Sequence, residues 1–78
     1  MLTVKYFGML AEAVGCEEEN LSLSNTTVES IKKVLLNQYP ALKDMSFKIA
    51  VNHKIIDDHS GMISDNAEIA LLPPFAGG

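Results

Sequence analysis

Apolar and polar residues alternate at the start of the chain. Three apolar side chains fall on one side of an extended segment and two polar ones on the other: Leu2, Val4 and Tyr6 against Thr3 and Lys5. This period of two is typical of a β-strand with one buried face. Gly8 ends the alternation, and residues 9–14 then form a predicted short helix that Gly15 closes at its C′ position.

A second short strand is predicted where Leu21 and Leu23 alternate with polar residues. It follows an acidic run at residues 17–19, which we interpret as a solvated group of charges. Only the short helix separates this strand from the first one, so the two strands are predicted to form a hairpin.

The clearest helical pattern lies in the middle of the chain. Thr26, with Glu29 three residues later, is a capping box in which each side chain bonds an unpaired backbone amide. Four apolar side chains then repeat with the helical period: Val28, Ile31, Leu35 and Tyr39. Pro40 ends the helix, because the residue before a proline is driven out of the α region.

Three more strands are predicted in the second half of the chain. Residues 47–52 alternate, a tight turn is predicted at residues 52–53, and residues 54–56 form a short return strand. Residues 57–64 are interpreted as a polar loop. Residues 67–72 are nearly all apolar, which predicts a central strand covered on both faces.

Together these elements predict an α+β fold in which a mixed sheet packs on one main helix. A central strand that comes last in the chain has to pair with an early one, so the first and last strands are expected to be parallel neighbours. That arrangement is a β-grasp. Residues 1–72 are predicted to form this domain, and residues 73–78 to form an extended C-terminal tail.

Composition excludes several classes of protein. The 78 residues, 47% of them hydrophobic, suit one compact domain. A single cysteine excludes a disulfide framework and a four-cysteine zinc site, and a reducing cytoplasm is the expected compartment. The net charge is −4 and all six basic residues are lysines, so binding to nucleic acid is not expected. No segment is apolar and long enough for a transmembrane helix, so no membrane contact is expected.

Two groups of reactive residue types have simpler explanations. Cys16 follows a helix-ending glycine and is interpreted as an incidental free cysteine. His53 and His59 stand near Asp57 and Asp58, but nothing in their spacing fixes a coordination geometry. No metal site is therefore predicted.

The printed sequence closes on a buried strand, two prolines and two glycines. Several further segments accompany this ending: residues 4–8, residues 13–15, the capped helix and the Ala-Val-Asn at residues 50–52. With them, the chain resembles over its whole length the small subunit of molybdopterin synthase, a ubiquitin-like sulfur carrier. Ala11 departs from the family, which often has a basic residue there, and this affects expected partner contacts. Residues 65–68 depart from a common Gly-Asp-Glu, which affects only a turn.

The tail suits a carrier on physical grounds. Pro73 and Pro74 cannot join a sheet ladder and favour a stiff, extended path. Six such residues at about 3.3 Å each reach about 20 Å, and the small side chains of Ala76, Gly77 and Gly78 fit a narrow tunnel. The Gly78 carboxylate is a poor electrophile, so a partner enzyme has to activate it, most simply by adenylation. The mixed anhydride can then accept sulfur and leave a C-terminal thiocarboxylate.

The resemblance implies the partners. A ubiquitin-activating-type adenylyltransferase, which uses ATP, would activate the tail, and the large subunit of molybdopterin synthase would then receive it. Two sulfur transfers there convert cyclic pyranopterin monophosphate into the dithiolene of molybdopterin. The chain itself is expected to be a non-catalytic subunit that binds no cofactor.

The expected site residues each have a role that the resemblance implies. Gly78 is the covalent carrier, Gly77 provides steric clearance, and Phe75 anchors the mouth of the tunnel. Pro74 and Phe7 are expected to contact partners. For Phe7, a core position at the end of a strand is an equal alternative.

Three other functions remain open. A sulfur carrier for thiazole formation in thiamine synthesis shares the Gly-Gly ending. A ubiquitin-like modifier would instead be joined to lysines of target proteins. A β-grasp interaction module with an idle tail is the third alternative, and it alone would tolerate an added residue after Gly78.

Overall fold

A computed structural model describes residues 1–58 and 60–74. Its elements follow in this order: β1 (Leu2–Tyr6), α1 (Met9–Val14), β2 (Glu18–Leu21), β3 (Thr26–Thr27), α2 (Val28–Gln38), a 3₁₀ helix (Pro40–Asp44), β4 (Lys48–Val51), β5 (Lys54–Ile56), β6 (Met62–Ile63) and β7 (Glu68–Leu72). His59 and residues 75–78 lie outside the described residues. The division into a domain at 1–72 and a tail at 73–78 therefore stays a prediction.

Five strands form one mixed sheet in the order β2-β1-β7-β4-β5. β7 comes last in the chain but lies between β1, to which it is parallel, and β4, to which it is antiparallel. In the parallel pair, Thr3 stands opposite Glu68 and Tyr6 stands opposite Leu71. The predicted β-grasp, with its first and last strands as parallel neighbours, is confirmed.

The core lies between one face of this sheet and α2. Its largest fully buried side chains come from the sheet, from α2, from α1 and from the 3₁₀ helix: Leu2, Val4, Leu10, Ile31, Leu35, Leu42, Ile69 and Leu71. Burying one such aliphatic side chain contributes about 1.5–3 kcal/mol, so these contacts hold the helix on the sheet. The buried face of the first strand, the apolar stripe of the main helix and its end before Pro40 are all confirmed.

The opposite face of the sheet carries no helix in the described part of the chain. On this face Ala70 is buried, but Glu68 and Leu72 are half-buried and Ile55 is 39% exposed. The expectation that residues 67–72 are covered on both faces is therefore wrong. Ala70 is hidden because it is small and lies in the central strand, not because a second layer covers it.

The N-terminus of α2 differs from the prediction by one residue. Thr27, not Thr26, is the N-cap, and its hydroxyl accepts a hydrogen bond from the Ser30 amide at 3.2 Å. Glu29 does not complete a capping box but lies 3.7 Å from Lys33, one turn further along the helix. The shift arises because both threonines still belong to a strand, β3.

Two strand assignments also differ. β3 pairs with β6, whose residue Ile63 is buried, and this short strand lies within the segment 57–64 that was interpreted as a loop. β2 begins inside the acidic run and ends at Leu21, so Leu23 lies beyond it. Both differences arise from pairing with distant segments, which a local alternation cannot reveal.

Candidate functional site

The predicted tail starts from the best-protected strand of the sheet. Ile69 and Leu71 of β7 are 0% and 1% exposed, and β7 has a hydrogen-bonded neighbour on each side. Pro73, which follows β7, is half-buried, and Pro74 is exposed. The tail therefore has a fixed starting point, because a central strand cannot shift without breaking two ladders.

The parallel pairing brings the end of β1 to the start of this tail. The Phe7 amide donates a hydrogen bond to the Leu71 carbonyl oxygen at 3.2 Å. The next residue, Gly8, has φ 60° and ψ −132°, a conformation that glycine adopts readily and other residues rarely do. Gly8 also lies against the ring of Pro73. The start of α1 and the start of the tail are thus in direct contact.

Phe7 directly follows the C-terminal end of β1, and its side chain is 44% exposed. A core position for Phe7 is therefore excluded, whereas its contact with a partner stays a prediction. A shallow hollow on the open face of the sheet is lined by apolar residues that include Phe7, Ala50, Ile55, Ala70 and Leu72. An exposed aromatic ring beside an apolar surface is a common feature of protein interfaces.

Charged side chains border one side of this hollow. Glu68 lies between two basic side chains: the Lys5 Nζ is 3.1 Å from its Oε1, and the His53 Nε2 is 3.3 Å from its Oε2. The His53 side chain is well exposed and that of Lys5 is partly exposed, so these contacts contribute little to stability. They do fix the position of the one carboxylate that β7 presents on this face.

Asn52 connects the turn between β4 and β5 to β7. Its side-chain Oδ1 accepts a hydrogen bond from the backbone amide of Glu68 at 3.0 Å, and its backbone amide donates to the Glu68 backbone carbonyl oxygen at 2.8 Å. Asn52 and His53 have φ of 50° and 70°, which confirms the predicted tight turn and fits type I′. The sequence indicated the turn, but its hydrogen bonds to Glu68 join residues that are far apart in the chain, and a local pattern cannot reveal them.

A cluster of one half-buried carboxylate and two tyrosines lies on the helix side of the sheet, and the sequence pattern did not reveal it. Glu19 of β2 accepts one hydrogen bond from the Tyr6 hydroxyl at Oε1 and one from the Tyr39 hydroxyl at Oε2, the latter at 2.8 Å. The two rings meet edge to face, with their centroids 6.1 Å apart. The cluster thus joins β1, β2 and the C-terminal end of α2.

The cluster raises the pKa of both tyrosines. The hydrogen bond to Glu19 raises the pKa of Tyr39 to about 12. Burial, and then the same carboxylate, raises the pKa of Tyr6. The interpretation of residues 17–19 as wholly solvated is therefore wrong at Glu19. One signal was present in the sequence: Tyr6 alternates onto the apolar face, where its hydroxyl needs a partner.

The remaining candidates form no reactive group in residues 1–58 and 60–74. Among these residues, no three histidine, cysteine or acidic side chains are arranged to hold a metal ion, and His59 lies outside them. Asp58 accepts hydrogen bonds from the amide and hydroxyl of Ser60, which shapes a turn. Cys16 is a half-buried free thiol. Over the same residues, no helix has the length and apolar character needed to cross a bilayer.

Three of the expected site residues cannot be placed. Phe75, Gly77 and Gly78 lie outside the described residues, so their roles stay predictions. Of the expected set, Pro74 and Phe7 are described, and both are exposed where β7 and β1 end. The described geometry therefore defines the base of the predicted tail.

Comparisons with known proteins extend over the whole chain. The profile of the ThiS family matches residues 4–78. The molybdopterin synthase sulfur carrier subunit of Escherichia coli (strain K12) is 30% identical over 83 residues, which cover 100% of both chains.

Two solved structures have the same fold. The small archaeal modifier protein 1 of Methanosarcina acetivorans has a TM-score of 0.79 and 30% identity, covering 99% of this chain and 95% of its own. The complex of subunits 1 and 2 of molybdopterin-converting factor from Helicobacter pylori 26695 contains a chain with a TM-score of 0.72 and 25% identity, covering 99% of this chain and 97% of its own.

The mixed sheet with parallel first and last strands, packed on one helix and continued by a Gly-Gly ending, defines a ubiquitin-like β-grasp protein. The chain belongs to the ThiS family. The resemblance to the molybdopterin synthase sulfur carrier subunits is confirmed, because the Escherichia coli protein of that name aligns with this chain from end to end.

Proposed function

We propose that this chain is the sulfur carrier subunit of a molybdopterin synthase and that it carries sulfur as a thiocarboxylate on Gly78. The observation that carries the proposal is the end-to-end similarity to a sulfur carrier subunit at 30% identity. The two closing glycines and the rigid base of the tail support it, because a carrier has to present its terminal carbon to other enzymes.

The chemistry follows from the carboxylate of Gly78. A carboxylate resists attack by nucleophiles, so the activating enzyme first joins it to the AMP moiety of ATP and releases pyrophosphate. Sulfur at the oxidation level of hydrosulfide then attacks the carbonyl carbon of the mixed anhydride, AMP leaves, and loss of the proton on sulfur gives the thiocarboxylate. In each of two transfers the sulfur bonds to cyclic pyranopterin monophosphate, and water cleaves its bond to the Gly78 carbonyl carbon and restores the carboxylate; the two transferred sulfurs form the dithiolene of molybdopterin.

The two partners have separate tasks in this proposal. A ubiquitin-activating-type adenylyltransferase uses the ATP, and the large subunit of the synthase holds the pterin and supplies the acid and base groups. The Helicobacter pylori structure contains two subunits of molybdopterin-converting factor together, which supports a large-subunit partner for this chain. The chain itself acts as a carrier in the cytoplasm, not as an enzyme, and binds no cofactor.

The tail residues divide the work of docking. Gly77 and Gly78 are narrow enough to enter a tunnel, Phe75 anchors its mouth, and Pro74 keeps the approach stiff. Phe7, exposed directly after the end of β1, adds contact area outside the tunnel. These assignments predict that the globular surface binds the partner while the tail alone reaches the reacting atoms.

Mass spectrometry of the intact protein tests the proposal. After incubation with the activating enzyme, ATP and a sulfur source, the mass is expected to rise by the difference between sulfur and oxygen. A variant with one residue added after Gly78 is expected to show no such rise and no transfer to the large subunit. Cys16→Ser is the matched control, because it removes the one thiol that could hold extra sulfur as a persulfide. Full transfer by the extended variant would contradict the proposal.

A second candidate is a ubiquitin-like protein modifier, which the similarity to the archaeal modifier protein favours. It predicts isopeptide adducts between Gly78 and lysines of other proteins, seen as larger species on a blot against this chain. The carrier predicts a free thiocarboxylate instead. A carrier for thiazole formation is separated by offering the thiocarboxylate to each acceptor enzyme in turn.

A further inference from the structure

Gly8 and Pro73 meet where β1 and β7 end. A Cβ atom built on Gly8 would lie 3.2 Å from Cγ of Pro73, closer than the usual carbon–carbon separation of about 3.5–4.0 Å. A side chain at position 8 would therefore require Pro73 to give way by a few tenths of an ångström. The two residues are far apart in the chain and are neighbours only because β1 and β7 pair in parallel.

Of these two residues, Gly8 is held more firmly than Pro73. The Pro73 ring is closed on its own backbone, so it yields either by a change of ring pucker, which moves Cγ, or by a shift of the backbone at residue 73. Gly8 is held by α1, because its carbonyl oxygen accepts the Ala11 amide at 3.1 Å and the adjacent Leu10 is 1% exposed. Leu71 is fixed by the hydrogen bond from Phe7. The least constrained part of the contact is therefore the chain beyond Leu71.

We propose that Gly8 is a positioning residue for the tail: because it lacks a side chain, Pro73 can lie against the start of α1, and this contact sets the direction in which the chain leaves the sheet. The proposal rests on the proposed function, since the direction matters when Gly78 has to reach a reacting group on a partner.

The expected effect of a misdirected tail is large. Five residues reach at most about 16 Å, so a change of about 5° in the direction of the chain at Pro73 can move the far end by up to about 1.4 Å. A misplacement of about 1 Å at a reacting centre can slow a reaction about 100-fold. A methyl group on Gly8 would thus act on catalysis at a distance, without touching the partner.

Gly15 provides a matched control at the other end of α1. It also has a positive φ, of +94°, but a Cβ atom there would meet nothing within 4 Å. Alanine at either position strains the backbone. Only at position 8 does the new methyl group also meet Pro73. Gly15 (φ 94°, ψ 7°) lies in the left-handed helical region and Gly8 (φ 60°, ψ −132°) does not, so the strain differs between the two variants, and removal of the Pro73 ring is what separates the contact from the strain.

The experiment is a double-mutant cycle on the full chain with Gly8→Ala, Pro73→Ala and both together, alongside Gly15→Ala. Sulfur transfer to the large subunit and adenylation by the activating enzyme are measured as kcat and KM for the carrier. Thermal unfolding reports stability. We expect Gly8→Ala to lower kcat at least about 10-fold with little change in KM. In the Pro73→Ala background the same substitution is expected to lower kcat much less, because the ring that the methyl group would meet is gone. Gly15→Ala is expected to transfer at the rate of the unchanged protein.

Three results would overturn the proposal: an unchanged kcat in Gly8→Ala, an equal loss in Gly15→Ala, or an effect of Gly8→Ala that is the same with and without the Pro73 ring. If Gly8→Ala fails to fold, recovery of the fold in the double variant supports the contact and continued unfolding refutes it.

Residual dipolar couplings of the Cα–Hα bonds of Pro73 and Pro74 test the direction of the chain after β7 without any partner. We expect these couplings to shift in Gly8→Ala whether or not the unchanged protein forms a thiocarboxylate. Absence of the thiocarboxylate would refute the proposed function but not the role of Gly8.

Discussion

Replacing Glu19 with alanine is expected to destabilise the protein at neutral pH and to lower the pKa of both tyrosines. Glu19 accepts hydrogen bonds from the hydroxyls of Tyr6 and Tyr39 and so joins two strands to the end of the main helix. Tyr6 is 2% exposed, so in Glu19→Ala its hydroxyl loses its partner at a site with little access to water.

The magnitude follows from these two contacts. A hydrogen bond to a charged acceptor contributes about 1.5–3 kcal/mol, and a buried hydroxyl left unpaired costs about 1–3 kcal/mol. Glu19 is half-buried, so water replaces part of what is lost, and we expect a fall of about 2–3 kcal/mol in the free energy of unfolding. Glu19→Gln keeps one acceptor oxygen and should lose about 1 kcal/mol.

The pH dependence has a definite sign. The pKa of each tyrosine is higher in the folded protein than the ordinary value of 10.0, so the stabilisation is fully present below about pH 10. It is lost as the pH rises from there through about 12, where Tyr39 ionises in the folded state. Glu19→Ala removes the main cause of the Tyr39 shift and should make stability fall less steeply over this range.

Urea denaturation at neutral pH and absorbance titration of tyrosinate measure both effects. The chain has two tyrosines, so the absorbance titration reports the cluster and nothing else. Glu17→Gln is the control, since it makes the same change of charge at an exposed neighbour and should cost less than about 0.5 kcal/mol. If Glu19→Ala were no less stable than this control, or its tyrosines titrated as in the unchanged protein, the reasoning would be refuted.

Three further predictions concern the sheet and its open face. Asn52→Ala removes the acceptor for the Glu68 amide and strains a residue at φ 50°, so it should lower the free energy of unfolding measured in urea by about 1–2 kcal/mol. Asn52→Gly should recover the part of this loss that comes from backbone strain. Equal losses in the two variants would contradict the role of the backbone. Leu71→Ala empties a position that is 1% exposed and should cost about 2–5 kcal/mol in the same assay; a loss below about 1 kcal/mol would mean that the core collapses around the change. Phe7→Ala should weaken binding to the large subunit about 10-fold or more in calorimetry while the melting temperature changes little, and the opposite pattern would assign Phe7 to the fold.

Most of the fold could be read from local patterns. The alternation of the first strand, the apolar stripe from Val28 to Leu35 and the end of the helix before Pro40 depend on neighbours a few residues away, and all are confirmed. The parallel pairing of the first and last strands followed from one further step, because an apolar strand at the end of the chain has to lie inside the sheet. The base of the tail could be predicted as well, since Pro73 and Pro74 end the strand by their own chemistry.

Two of the errors, at the helix cap and at Glu19, share one physical cause. Thr27 rather than Thr26 caps the helix because both threonines pair with a strand more than thirty positions away. Glu19 leaves the solvated acidic run because Tyr6 and Tyr39 converge on it. In each case a distant segment supplies the partner, and the local pattern is the same with or without it.

The amino-acid sequence alone determined the class of this protein: periodicity and proline and glycine chemistry act over a few residues, and they were enough to define a β-grasp whose last strand ends before two prolines. The tertiary structure alone decided which side chains meet. It placed Phe7 in solvent, closed the tyrosine pair on Glu19 and brought Gly8 against Pro73. Such contacts depend on separations of a few ångströms between segments far apart in the chain, and only the packed fold sets those distances.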